Sequence, residues 1–107
     1  MTYIHGNTIV DRWRNMTLAE QLGNIGSEVS RAANAQEKDD RRFNNAVDRA
    51  LELFDLTLSD LRWRGHLWEI GRMREVFCDA LLGGHEYGDN LKSLLKYFDQ
   101  FAYSIRK

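Results

Sequence analysis

Apolar residues recur along most of the chain at intervals of three and four positions, which is the spacing of one face of an α-helix. The pattern predicts four helices, over about 18–36, 40–59 and 67–82, and from 89 or 90 to the carboxyl end. Glycine, aspartate and asparagine separate these segments, and the chain contains no proline. Long helices joined by short connections favour antiparallel neighbours. The sequence therefore predicts an all-α protein, an up-down antiparallel four-helix bundle that forms a single domain over residues 1–107.

The first predicted helix has the clearest start signal. Thr17 and Glu20 have the spacing of a capping box, in which a hydroxyl and a carboxylate each accept a hydrogen bond from a backbone N–H. The apolar stripe of this helix is narrow, as is typical of a helix packed on a partner helix. The stripe comprises Leu18, Leu22, Ile25, Val29 and Ala32. Ahead of it, residues 1–16 are predicted to form an arm or a short helix, and residues 17–107 form the bundle.

Two helix faces are candidate contact surfaces between copies of the chain. The first helix carries small residues, among them Gly23 and Gly26. A glycine inside a helix costs about 1 kcal/mol relative to alanine, so we expect another backbone to approach closely, either within the bundle or across a dimer interface. The last helix has a broad apolar face. This face comprises Leu91, Leu94, Leu95, Phe98, Phe101, Ala102 and Ile105.

The net charge of −1, from 15 basic and 16 acidic residues, hides a local asymmetry. The second predicted helix is acidic, whereas the segment that follows it is rich in arginine. A turn is predicted between these helices, over residues 61–66, with Gly65 as its residue of positive φ. If the helices fold back about a centre near residue 63, Arg74 faces Glu52 and Arg72 faces Asp55. The sequence therefore predicts two interhelical ion pairs. The apolar stripe of the third helix leaves open whether Arg74 enters the seam between the helices or flanks it.

Two segments, residues 12–14 and 62–64, share the sequence Arg-Trp-Arg. Guanidinium groups contact phosphates, and an exposed aromatic ring can stack on a base. The candidate contacts for RNA or another anion are Arg62, Trp63, Arg64, Arg72 and Arg74. The near-neutral charge and the acidic neighbouring helix argue against nucleic acid. Binding of RNA or an anion by this segment is therefore the alternative function and not the favoured one.

No residue set in the sequence suggests catalysis or metal binding. The three histidines, His5, His66 and His85, lack the Glu-x-x-His spacing of metal sites in helical bundles. The single cysteine, Cys78, has no histidine within a helical turn to act as its base. No glycine-rich phosphate loop is found. We therefore expect a protein that is not an enzyme and that has no metal or cofactor.

The chain contains the stretches QLGNIGSEVSRA (21–32), RALELFDLTLSD (49–60) and REVFCDALLG (74–83). With these stretches it resembles a group of short prokaryotic helical proteins of unassigned function. The resemblance extends from about residue 18 to the end, and it implies an intracellular prokaryotic origin without implying an activity.

Location and function follow from these observations as expectations. The sequence contains no run of 18 apolar residues, so it predicts no membrane span. The amino-terminal segment lacks the features of a signal peptide. We therefore expect a cytoplasmic protein that does not bind membranes. The favoured function is non-enzymatic: a small helical bundle that acts through protein–protein contacts, as a homo-oligomer or with a protein partner.

Overall fold

The computed structural model of the chain describes residues 10–83 and 90–106. Its helices are α1 (10–14), α2 (Leu18–Ala35), α3 (Asp40–Leu58), a 3-10 helix (Leu61–His66), α4 (Leu67–Leu81) and α5 (Leu91–Arg106). The described residues contain no β-strand, which confirms that the protein is all-α. None of the described helices is both long enough and apolar enough to cross a membrane.

Side-chain caps explain where α2 and α3 begin. The Thr17 hydroxyl accepts a hydrogen bond from the Glu20 N–H at 3.1 Å, and the Glu20 carboxylate accepts one from the Thr17 N–H at 2.8 Å. The predicted capping box is therefore confirmed. Asp39 caps α3 by accepting a hydrogen bond from the Arg42 N–H at 3.1 Å. These caps satisfy N–H groups that a helix start otherwise leaves without a partner.

The connection between α3 and α4 differs from the predicted glycine turn. Residues 61–66 form a 3-10 helix, which Asp60 caps by accepting a hydrogen bond from the Arg62 N–H at 3.1 Å. The prediction that Gly65 takes a positive φ is wrong. Among the described glycines, that conformation occurs at Gly83, with φ of 102°, where α4 ends. The chain thus reverses through a carboxylate-capped helical turn, which sets a different register between α3 and α4.

Each long helix makes its most extensive contacts with two others. α2 contacts α3 and α5, and α4 contacts the same two helices. Every residue of the stripe predicted on α2 is at most 5% exposed. On α5, Leu91, Leu94 and Phe98 are buried in the same core. The side chains of Phe101, Ala102 and Ile105, also predicted on that face, lie outside the described part of the chain.

Phe54 lies at the meeting point of three helices. Its ring centroid is 5.9 Å from that of Phe77 on α4 and 5.9 Å from that of Phe98 on α5. Gly26 of α2 lies against Phe98, since a Cβ at this glycine would be 3.7 Å from the Phe98 Cβ. A Cβ at Gly23 would meet nothing within 4 Å. Of the two glycines, Gly26 is therefore used for packing within the chain, and Gly23 is not.

We expect Phe54→Ala to lower the free energy of unfolding by about 3–5 kcal/mol, because it removes a fully buried ring shared by three helices. Urea unfolding followed by circular dichroism measures this loss. As a control, Leu82→Ala removes a side chain that is 76% exposed and should change stability by no more than about 0.5 kcal/mol. Equal effects of the two substitutions would contradict this placement of Phe54.

Candidate binding surface

Arg62, a predicted anion contact, is held by a carboxylate that the sequence patterns do not single out. Its Nε donates a hydrogen bond to Asp60 Oδ1 at 3.0 Å, and its Nη2 donates one to Oδ2 at 2.7 Å. The Asp60 side chain is 7% exposed and the Arg62 side chain is 43% exposed. Such two-point pairs are specific in geometry as well as favourable in energy. The charge of Arg62 is thereby neutralised within the chain.

The electrostatics of this pair favour its charged form. The pKa of Asp60 lies below its ordinary value, chiefly because the Arg62 side chain donates hydrogen bonds to the carboxylate. Burial opposes this shift, while the Arg62 N–H and the Gln21 amide support it. The same hydrogen bonds raise the pKa of Arg62. Both shifts show that the fold stabilises the ion pair.

A fully buried glutamine joins the two Arg-Trp-Arg segments. Gln21 Oε1 accepts a hydrogen bond from the Trp63 indole N–H at 2.9 Å, and Gln21 Nε2 donates one to the Trp13 carbonyl at 2.7 Å. The Trp13 indole N–H donates in turn to the Thr57 hydroxyl at 3.1 Å. The Arg62 guanidinium also covers the Trp63 ring, 4.4 Å from its centroid. Trp63, predicted as a stacking surface, is thus half-buried and bonded inside the protein.

One interhelical ion pair forms among the four residues predicted for such pairs. Arg74 Nε donates to Asp55 Oδ1 at 3.0 Å, which joins α4 to α3. The predicted partner, Glu52, instead pairs with Arg49 of its own helix at 2.8 Å. The predicted pairing of Arg74 with Glu52 and of Arg72 with Asp55 is therefore wrong by one helical turn. The reason is the 3-10 helix, which shifts α4 along α3 relative to a tight turn.

Arg74 flanks the seam between the helices and does not enter it. The neighbouring Met73 is 3% exposed and takes the core position, while the Arg74 side chain is 35% exposed. Its Nη1 is 4.0 Å from the Cys78 sulfur. Arg74 thus packs along the surface of α4 with its charge paired to α3.

The outer surface of α4 carries an exposed tryptophan. Trp68 is 72% exposed, and the adjacent Leu67 is 41% exposed. The Arg72 guanidinium lies 5.7 Å from the centroid of the Trp68 ring. Between these side chains the helix surface has a depression of about 270 Å³, lined by Leu67, Trp68, Gly71, Arg72 and Glu75. We call these five residues the Trp68 face.

A groove of about 810 Å³ lies between α2 and α3. Three of its arginines are paired with carboxylates of their own helix or its cap. These pairs are Arg31 with Glu28 at 3.0 Å, Arg42 with Asp39 at 3.4 Å, and Arg49 with Glu52 at 2.8 Å. The pairing leaves little net positive field in this groove, so its size alone does not indicate an anion site.

The described residues include no group of three or more histidine, cysteine, aspartate or glutamate side chains that could hold a metal ion. His66 lies at the end of the 3-10 helix, beside Trp63 and the α1–α2 turn. His5 and His85, considered from the sequence as metal ligands, lie outside the described residues.

Comparisons of the chain with protein-family models, curated proteins and solved structures find no match. A function for the protein therefore has to be inferred from its geometry. Of the residues discussed from the sequence, Arg62 and Trp63 come together against the buried Gln21 and Asp60, whereas Arg64 is exposed. Arg72 and Arg74 lie farther along, on α4. Trp68, at 72% exposure, is the tryptophan that lies on the surface.

The ion pair of Asp60 with Arg62 should make the free energy of unfolding depend on pH. Asp60→Asn removes the negative charge, and we expect it to lower the free energy of unfolding at pH 7 by about 1–3 kcal/mol. The folded-state pKa of Asp60 lies below its ordinary value of 3.8. Its pairing with Arg62 therefore stabilises the fold fully above about pH 4–5, and the contribution is lost as the pH falls below that range.

Urea unfolding of the wild type and of Asp60→Asn at a series of pH values between neutral and strongly acidic measures this dependence. The difference in stability between the two proteins should be constant near neutral pH and should shrink below about pH 4. Arg62→Met should reduce the acid dependence in the same way. A difference that is independent of pH would show that Asp60 contributes by packing and not by its charge.

Proposed function

We propose that this protein is a non-enzymatic helical module that acts through protein–protein contacts and forms a homo-oligomer through the Trp68 face. The observation that carries the proposal is the 72% exposure of Trp68. A tryptophan side chain can bury about 150–250 Å² of surface. Removing most of that apolar surface from water contributes roughly 3 kcal/mol to the free energy of binding. A protein contact that covers Trp68 therefore gains the free energy of burying this side chain, which folding of the single chain does not gain.

The composition of the Trp68 face supports a protein contact. Tryptophan and arginine are the residue types that most often dominate the binding energy of protein interfaces. Leu67 extends the apolar surface, and Leu61, which is 79% exposed, lies in the same connection before α4. Arg72 and Glu75 border it with opposite charges. An apolar centre with a charged border is the usual arrangement of such interfaces.

We propose that the protein has no enzymatic role, because its described polar side chains bond to one another. Gln21, Asp60 and Arg62 bond to one another and to tryptophans, and Arg74 bonds to Asp55. These groups hold helices together and do not converge on an open cavity. Cys78, half-buried, has Arg74 beside it and no acid–base partner among its described contacts.

We propose an antiparallel four-helix bundle of α2 to α5, supported by the contacts of α2 and α4 with the same two neighbours. A prokaryotic and cytoplasmic origin is supported by the resemblance of the stretches at 21–32, 49–60 and 74–83 to short prokaryotic proteins.

A second candidate is the binding of RNA or another anion by residues 62–74. Trp68 and Arg64 are both exposed, and an exposed indole can stack on a base. Arg62 and Arg74, however, are paired with Asp60 and Asp55. Fluorescence anisotropy of a labelled single-stranded RNA tests this candidate. Affinity that falls steeply with salt, and that is lost in Arg64→Ala plus Arg72→Ala, would favour it over the protein contact.

We expect the purified protein to associate as its concentration rises from the nanomolar to the high micromolar range. Trp68→Ala should weaken this association by about tenfold or more, because truncation of a central interface tryptophan typically costs more than 1 kcal/mol. Sedimentation equilibrium measures the dissociation constants, and circular dichroism checks that the variant is folded.

The matched control is Tyr103→Ala, which removes another aromatic side chain, 65% exposed, from the groove between α2 and α5. It should leave association unchanged. A wild-type protein that stays monomeric at high micromolar concentration would overturn the homo-oligomer. Dissociation by Tyr103→Ala and not by Trp68→Ala would move the interface to the α2–α5 groove.

A further inference from the structure

We draw no further inference here: the strongest candidate, the surface patch of Arg12, Arg14 and Arg64 on α1 and the 3-10 helix, has the exposed Asp11 beside its arginines in α1, and nothing in the structure shows what covers it.

Discussion

The carboxamide of Gln21 is fully buried, so its donors and its acceptor have to find partners inside the protein. It finds them on elements that are far apart in the chain: the Trp13 carbonyl, the Trp63 indole and, at 3.4 Å, the Asp60 carboxylate. Loss of one partner would leave a buried polar group unsatisfied, at a cost of about 1–3 kcal/mol. The junction therefore fixes α1 and the 3-10 helix against α2 more strictly than apolar contacts alone would.

The position of α4 follows from that junction. Asp60 and Arg62 hold the 3-10 helix closed, and α4 begins directly where it ends. The resulting register brings Arg74 to Asp55 and turns Met73 toward the core. The same rotation of the helix turns Trp68 outward. The surface that we propose as an interface thus lies on the helix that follows this junction directly in the chain.

Trp63 and Trp68 both have arginines as neighbours, but the fold gives them different surroundings. Trp63 lies between two arginines, a pattern typical of a residue that stacks on a base, yet its indole N–H donates a hydrogen bond to Gln21 and its ring is covered by Arg62. Trp68 attracts less attention in the sequence, but it is the exposed one. Tryptophan and arginine next to each other thus indicate packing at one position and a binding surface at the other, and the distinction lies in the partners available to each.

The sequence by itself determined what depends on neighbours within a helical turn or two. The cap at Thr17, the apolar stripe of α2 and the approximate bounds of the helices are local, because cap hydrogen bonds span three residues and the helical period repeats every 3.6. Only the tertiary structure decided the partners of Gln21, which lie 8, 39 and 42 residues away. It also decided the pairing of Arg74 with Asp55 over a separation of 19. Such contacts depend on the rotation and register of whole helices, and a shift of a single turn, which the apolar pattern tolerates, exchanges one charged partner for another.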